Sequence, residues 1–540
     1  MNRSLVAATL GSLLFAAVPL AAQTTAPAAA SLFRTADGCI SCHNQLVGPG
    51  GENISIGTDW QPSMMANSAR DPYWQGAVRR EVLDHPEAQA AIEHECSACH
   101  MPMTRYAAKA AHARGAVFAH LPIGGQTTPE GLLAADGVSC TMCHQILPEK
   151  LGTRDSFTAG FVIDTAVPYG HRPAFGPYEV TPGLTSLMRS SAEFTPTTAA
   201  HLATSEMCAT CHTLYTHALG AGGKVIGELP EQVPYLEWRH SAYRAKQTCQ
   251  ACHMPVVDRP VRISSTLGEP RPGFSRHEFR GANFYMPRIL NRYAADLTPA
   301  ALPQDLEAAG QRSADFVKAE AARLSLAGTS IANGQLTTEV QVENLGGHKL
   351  PTAYPSRRAW LHVAVRDAAG RIVFESGGFE PTGAIRGNDN DADAARYEPH
   401  HAEIASEDQV QIYESIMGDE KGAVTTGLLQ GVRYLKDNRV LPQGFDKATA
   451  EPDIAVRGEA GRDEDFVGGR DAVRYRVDLR SAEGPFTVEA ALWYQPIGFR
   501  WAQNLKRYEA PEPQRFARMY DETAAASAIV LARTATTVKE

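Results

Sequence analysis

Cysteine is absent from the second half of this 540-residue chain, because all ten cysteines lie between residues 39 and 252. Long apolar runs are absent after residue 20, which excludes later transmembrane helices. An excess of positive charge is absent too. The formal net charge of -9 argues against nucleic acid and for basic or neutral partners. The length is too great for one core, so two or more domains are expected.

The ten cysteines all belong to five C-x-x-C-H strings. The cysteine pairs are Cys39 and Cys42, Cys96 and Cys99, Cys140 and Cys143, Cys208 and Cys211, and Cys249 and Cys252. The histidines that complete the strings are His43, His100, His144, His212 and His253.

This spacing has a chemical reason. Two thiols three positions apart can each form a thioether with one of the two vinyl groups of a porphyrin, and the next residue then lies under the iron as its proximal ligand. Disulfides, a zinc knuckle or a thioredoxin-like redox pair do not explain a histidine after every second cysteine. The strings therefore predict five covalently attached haem c groups, with the ten cysteines as attachment residues and the five histidines as proximal ligands.

The start of the chain has the pattern of a secretory signal peptide. Arg3 is followed by an apolar run over residues 5–20 and by small residues before Gln23. We therefore expect residues 1–22 to be removed, residues 23–31 to form a disordered leader, and the protein to be periplasmic or extracellular. Export agrees with the cysteine strings, since haem is joined to C-x-x-C-H outside the cytoplasmic membrane in bacteria.

A multidomain α+β fold is predicted. Residues 32–298 form the pentahaem cytochrome domain, which should be mostly helix and loop, because five macrocycles leave few apolar side chains per haem. Short helices are indicated over residues 72–83, 85–95, 198–208 and 235–245. Apolar residues at helical spacing predict a linking helix over residues 299–326.

After this helix the apolar period changes from 3.6 to 2. Residues 327–540 should form an antiparallel β-sandwich domain with long loops. Turn signals over residues 367–370 and 481–484 predict hairpins between neighbouring strands. Without cysteine, this domain carries no covalent haem.

Several strings resemble the multihaem c-type cytochromes related to the tetrahaem electron acceptor of hydroxylamine oxidoreductase and, more distantly, pentahaem nitrite reductase. In the haem part they are Trp60-Gln-Pro-Ser-Met-Met-Ala, Asp136-Gly-Val-Ser-Cys-Thr-Met-Cys-His, Ser205-Glu-Met-Cys-Ala-Thr-Cys-His and Cys249-Gln-Ala-Cys-His-Met-Pro. The C-terminal part resembles the sandwich attached to many such cytochromes through Gly347-His-Lys-Leu-Pro-Thr, Val410-Gln-Ile-Tyr-Glu and Lys436-Asp-Asn-Arg.

Four residues are candidate distal iron ligands. The resemblance implies Met65, which stands where relatives have a histidine in a W-x-x-S-x-H-A string, and His277, which precedes Phe279-Arg-Gly as the distal histidine does in similar sequences. His201 precedes the fourth string on a predicted helix, and His348 lies in a glycine-flanked turn. Packing is the alternative role for Met65, a surface position for His201 and a structural hydrogen bond for His348. Weaker candidates are His94, His112, His120, His171, His400 and His401.

Carboxylates are concentrated in the loop over residues 388–393 and at Glu398. Oxygen-rich loops can bind calcium, but the glycine and terminal glutamate of an EF-hand are absent here. Calcium and a solvated acidic loop are the two interpretations.

The main functional hypothesis is electron transfer through closely spaced haems to redox partner proteins. The alternative is an oxidoreductase with one open haem that acts on a small nitrogen or sulfur compound. All five strings end in histidine, whereas pentahaem nitrite reductases have C-x-x-C-K at the catalytic haem, which argues against the alternative. A third hypothesis gives the sandwich a docking or self-assembly role.

Overall fold

A computed structural model describes residues 32–479 and 482–539. The predicted signal peptide and the leader over residues 23–31 lie outside the described residues. An N-terminal part of short helices and loops is followed by a C-terminal part dominated by β-strands, so the structure is α+β as predicted. No helix in these two described ranges is both long and apolar enough to cross a membrane.

The helices of the N-terminal part are mostly short. They are α1 (Asp37–Ile40), α2 (Ile56–Trp60), α3 (Pro72–Asp84), α4 (Gln89–His100), α5 (Pro102–Ala110), α6 (Pro129–Ala135), α7 (Cys140–Cys143), α8 (Pro182–Ala192), α9 (Ser205–His212), α10 (Pro234–Arg239), α11 (Cys249–His253), α12 (Tyr285–Arg292) and α13 (Ala294–Leu297). Helix α3 begins where the Asp71 carboxylate accepts the backbone N–H groups of Tyr73 and Trp74, with proline at the first helical position.

Two small sheets in the N-terminal part were not predicted from the sequence. Strands β1 (Arg172–Gly176) and β2 (Phe194–Thr198) are parallel, and β3 (Leu214–Leu219) pairs with β4 (Val225–Gln232) in antiparallel fashion. The helix predicted over 198–208 is therefore wrong at its start, since α9 begins only at Ser205.

Helix α14 (Pro303–Glu320) lies within the range 299–326 that was predicted as helical, and its buried residues include Leu306, Ala314 and Val317. It ends earlier than the predicted residue 326, because the chain enters β5 (Ala322–Ala332). Leu324 and Leu326 pair with strand β6 instead of extending the helix. The alternation of period two thus begins inside the predicted helix and determines the structure there.

Most strands of the C-terminal part are antiparallel to their neighbours. A four-stranded sheet has the order β5, β6 (Gln335–Asn344), β14 (Arg470–Asp478), β9 (Glu403–Ile404). A five-stranded sheet has the order β10 (Ile412–Tyr413), β7 (Arg358–Arg366), β15 (Phe486–Gln495), β16 (Ile529–Val538), with β8 (Ile372–Ser376) also paired to β7. A three-stranded sheet has the order β12 (Val424–Thr425), β11 (Ser415–Gly418), β13 (Arg433–Asp437). The remaining helices are α15 (Asp389–Ala392), α16 (Phe499–Leu505) and α17 (Pro511–Thr523).

One hydrophobic core joins the two larger sheets to the N-terminal part. Val340 and Val473 from the four-stranded sheet, Leu361 and Val488 from the five-stranded sheet, and Ile289 from α12 are fully buried in the same cluster. Burial of an aliphatic side chain of this size stabilises the fold by about 1.5–3 kcal/mol. The C-terminal sheets are therefore packed onto the helices rather than connected to them only through the chain.

The two predicted hairpins have different outcomes. The turn over residues 367–370 joins β7 to β8, and the Asp367 carboxylate accepts the backbone N–H groups of Ala369 and Arg371. The hairpin predicted at 481–484 is wrong, because β14 pairs with β6 and β9 whereas β15 pairs with β7 and β16. Alternation shows which face of a strand is buried, but it does not identify the strand's partner.

Candidate haem-binding site

Each C-x-x-C-H string lies on or at the end of a helix. The strings at Cys96, Cys208 and Cys249 lie entirely within α4, α9 and α11. In a helix, residues three apart occupy the same face, so the two thiols of a string point in one direction. This arrangement suits two thioether bonds to one porphyrin edge.

Four of the five string histidines are held by the same kind of hydrogen bond, in which Nδ1–H donates to a backbone carbonyl. The donor and acceptor pairs are His43 and Ile263 (2.6 Å), His100 and Ser68 (2.8 Å), His144 and Phe175 (2.6 Å), and His253 and Arg280 (2.5 Å). Because the proton is on Nδ1, the lone pair of Nε2 is available for a metal. His212 makes no such bond within the described part of the chain.

Burial favours the neutral form of two string imidazoles. It lowers the pKa of His100 and of His253 to about 4. Both residues are half-buried. Neutral and partly accessible imidazoles fit a metalloporphyrin.

His144 faces a second imidazole. Its ring centroid lies 6.4 Å from that of His277, and the ring planes differ by 18°. The Nδ1–H of His277 donates to the Ser275 carbonyl at 3.1 Å, so Nε2 is again the free nitrogen. Burial and the neighbouring His144 lower the pKa of His277 to about 3.

His253 faces His348 in the same way, with ring centroids 6.3 Å apart and planes that differ by 15°. The Nδ1–H of His348 donates to the Lys349 carbonyl at 3.1 Å. Two metal–imidazole bonds of about 2 Å each, plus the distance from each nitrogen to its ring centre, account for a separation of this size. Trp74 and His100, by contrast, are in direct stacking contact at 4.3 Å. Both facing pairs therefore fit one iron between two nitrogens.

The structure brings the other two candidate distal ligands near the third string. The backbone carbonyl of Met65, a half-buried residue, accepts the Val138 N–H at 2.9 Å. The Nε2–H of His201 donates to the Ile146 carbonyl at 2.7 Å, and its ring packs edge-on against Phe175. His201 therefore uses the nitrogen that most often binds iron for a structural bond, and both ligand assignments stay predictions.

The weaker histidine candidates have other partners or are exposed. His94 accepts the Gly115 N–H on Nδ1 at 2.8 Å, so its proton is on Nε2. His401 bonds Glu398, and His400 bonds Asp463 in a buried cluster that also contains Asp471. His112 and His171 are exposed and His120 is half-buried.

The acidic loop gives the calcium interpretation no support. The Asp391 carboxylate pairs with Arg358 and accepts the Ile385 N–H, and Asp389 pairs with Arg396. In residues 32–479 and 482–539, no three metal-binding side chains of this loop converge. Its carboxylates instead fix the loop to the five-stranded sheet.

Cysteines from different strings lie side by side. The neighbouring Cys140 thiol lowers the pKa of Cys39, and the Cys39 thiol raises that of Cys140. In the same way Cys208 lowers the pKa of Cys249 to about 7, and Cys249 raises that of Cys208. The first and third strings are thus adjacent, as are the fourth and fifth.

Sequence reasoning missed the groups that orient the string histidines. The carbonyls that accept from Nδ1 belong to distant segments, and Trp74 covers one face of His100 from α3. Backbone acceptors leave no residue-type signal, so no pattern could have identified them.

No protein-family model and no curated protein matches the chain. Among solved structures, a penta-haem cytochrome c552 from Thermochromatium tepidum is similar, with a TM-score of 0.51 and 14% sequence identity. The likeness covers 94% of this chain and 99% of that one. Over nearly its whole length the chain therefore has the fold of a multihaem cytochrome.

Proposed function

We propose that the chain is an exported pentahaem c-type cytochrome that transfers electrons through closely spaced haems to redox partner proteins. The observation that carries this proposal is the pair of facing imidazoles at His144 and His277 and at His253 and His348. The similar protein from Thermochromatium tepidum is a penta-haem cytochrome, which agrees with a count of five.

The bound haem iron supplies one-electron oxidation and reduction. The protein's part is to keep the surroundings of each iron unchanged between the two states. The paired cysteines would hold the porphyrin, and an Nδ1–H bond to a backbone carbonyl fixes the rotation of the His144 and His253 rings. Two histidines such as His144 and His277 would hold a bound iron in the same way in both of its oxidation states.

In this proposal His277 is the distal ligand of the third haem and His348 that of the fifth. Met65 and His201 are the proposed distal ligands of other haems, and a methionine ligand would raise the potential of its iron. Each assignment requires the Sδ or imidazole nitrogen to lie opposite a string histidine.

The adjacent strings support transfer between haems. Cys39 and Cys140 are neighbours that affect each other's pKa, so the first and third haems would attach at neighbouring points. Cys208 and Cys249 would place the fourth and fifth haems in the same relation. Haems held close together in this way would exchange electrons without moving.

The alternative is a multihaem oxidoreductase with one open haem acting on a small nitrogen or sulfur compound. It is favoured by His43, His100 and His212, none of which faces a second imidazole in the way His144 and His253 do among the described residues. An open iron at one of these would serve as the reaction site.

Haem content and spin state test the proposal together. Mature protein should give five haems per chain by pyridine haemochrome assay against protein mass. Its ferric electron paramagnetic resonance spectrum should be dominated by low-spin signals, and electrons from a small reductant should reach all haems. Four haems or fewer would contradict the count. A large high-spin signal with turnover of nitrite or hydroxylamine would favour the alternative.

A further inference from the structure

A buried cluster of four charged side chains lies where the two parts of the molecule meet. Glu237 belongs to α10 of the N-terminal part, whereas Lys349, Asp437 and Arg439 belong to the C-terminal part. Their exposures are 0%, 0%, 2% and 5%. Two carboxylates and two cations balance, so the cluster has no net charge.

The ion pairs of this cluster are short. Arg439 approaches the Glu237 carboxylate at 2.9 Å and the Asp437 carboxylate at 2.7 Å, and Lys349 Nζ lies 2.7 Å from Asp437. Burial opposes ionisation of Asp437, yet Arg439 and Lys349 hold its pKa well below the usual range. Asp437 therefore stays charged and joins the two cations.

Glu237 also forms hydrogen bonds to the loop that carries His348. Its Oε2 accepts the backbone N–H of Lys349 at 3.1 Å and the hydroxyl of Thr352 at 2.6 Å. On the other side, the Asn344 amide donates to the His348 carbonyl at 2.8 Å and to the Val440 carbonyl at 2.9 Å. His348 is thus held from both sides. From the N-terminal part, the Glu237 carboxylate binds the residues after His348, and the Tyr243 hydroxyl donates to the Leu345 carbonyl before it at 2.6 Å.

A buried ion cluster is a weak source of stability, because removing charges from water costs much of what their attraction returns. It is directional, however, and hydrogen bonds to a charged acceptor have narrow geometry. The arrangement around Glu237 is therefore better suited to fixing a position than to adding stability.

We propose that Glu237 is a positioning residue that holds His348 opposite His253, with Arg439, Asp437 and Lys349 connecting that position to the C-terminal sheets. The inference rests on the proposed coordination of the fifth haem by His348. Without the carboxylate, the loop loses the two hydrogen bonds from Lys349 and Thr352 to Glu237, and the imidazole moves away from the iron for part of the time.

The test compares Glu237→Gln and Glu237→Ala with His348→Ala in the haem-loaded full chain. Both Glu237 variants should show one haem partly converted to high spin, with new carbon monoxide binding below one equivalent. Added imidazole should restore the low-spin spectrum, because it replaces a displaced ligand. His348→Ala should show full conversion of the same haem.

Glu451→Gln is the matched control. Glu451 pairs with Arg239 of the same helix α10 at 2.9 Å, but 55% of its side chain is exposed. This variant removes a carboxylate that also links the two parts without touching the loop of His348. Its spectrum and carbon monoxide binding should equal those of the wild type.

The outcomes separate the two proposals. If His348→Ala leaves all spectra unchanged, the coordination of the fifth haem by His348 is wrong. If His348→Ala opens one iron while both Glu237 variants keep it closed, the coordination stands and the positioning role is overturned. Should the Glu237 variants fail to fold, Thr352→Val decides, since it removes one hydrogen bond and no charge. In Thr352→Val the high-spin signal should appear at a lower temperature than in the wild type. An unchanged temperature would overturn the positioning role of Glu237.

Discussion

The two pairs of facing imidazoles have nearly the same geometry and different origins. His144 and His277 both come from the N-terminal part, with ring centroids 6.4 Å apart. His253 comes from the N-terminal part and His348 from the loop between β6 and β7, with centroids 6.3 Å apart. Under the proposed coordination, one iron site is complete within the helical part, whereas the other requires the C-terminal sheets to be docked.

A charged residue next to each proposed distal ligand, His277 and His348, forms an ion pair that fixes its loop. Arg276, next to His277, pairs with the buried carboxylate of Asp59 at 2.6 Å. Lys349, next to His348, pairs with Asp437 at 2.7 Å. An ion pair beside the histidine therefore holds His277 within the N-terminal part and His348 between the two parts. Under the proposed coordination, the C-terminal part is a coordination partner as well as a cover.

Loss of the fifth haem should weaken the contact between the two parts more than loss of the third haem does. Replacing both Cys249 and Cys252 with alanine leaves His348 without an iron, so the C-terminal part loses an attachment. Replacing both Cys140 and Cys143 removes the third haem and leaves that attachment intact. Both double variants should lose one haem by intact mass, but only the former should become sensitive to protease in residues 345–357. Equal protease sensitivity of the two would contradict the difference.

Two buried carboxylates near the interface have different partners, and one of them should make the stability of the protein depend on pH. Glu237 forms an ion pair with Arg439. The carboxylate of Glu231 instead accepts a hydrogen bond from the Thr216 hydroxyl, and burial raises the pKa of Glu231 to about 7. A raised folded-state pKa means that the folded protein favours the protonated form. The contribution of protonated Glu231 to the free energy of unfolding is therefore fully present below about pH 4.5, and it is lost as pH rises through about 7.

Glu231→Gln should remove this dependence. The difference in unfolding free energy from the wild type should be near zero at pH 4.5 and should grow to roughly 3 kcal/mol in favour of the variant above pH 7, at 1.36 kcal/mol per pKa unit. Denaturant unfolding at several pH values measures it. A difference that stays constant with pH would show that Glu231 keeps the same charge in both states.

Met65 provides a smaller effect confined to one haem of the N-terminal part. If its sulfur is a distal ligand, Met65→His should keep six-coordination and lower one reduction potential, because imidazole favours ferric iron more than a thioether does. Met65→Leu is the control and should open one iron without supplying a new ligand. A potentiometric titration unchanged by either replacement would leave Met65 a packing role.

Local patterns predicted more of this molecule than long-range ones did. The helix over residues 72–83 is confirmed, because proline, an Asp cap and apolar spacing act within one segment. The partner of β15 could not be predicted, since alternation specifies a buried face and not a neighbour. The glycine-flanked turn drew attention to His348, but its approach to His253 depends on how the two parts pack. Glu237 carried no local signal at all.

Carbon monoxide titration of reduced His348→Ala beside the wild type shows whether a histidine from the C-terminal part completes the coordination of an iron attached to the N-terminal part. We expect the variant to bind one additional equivalent of carbon monoxide per chain, which imidazole displaces, while the other haems stay unchanged. Equal carbon monoxide binding by variant and wild type would contradict it, and His348 would then have only the hydrogen bonds of a structural turn.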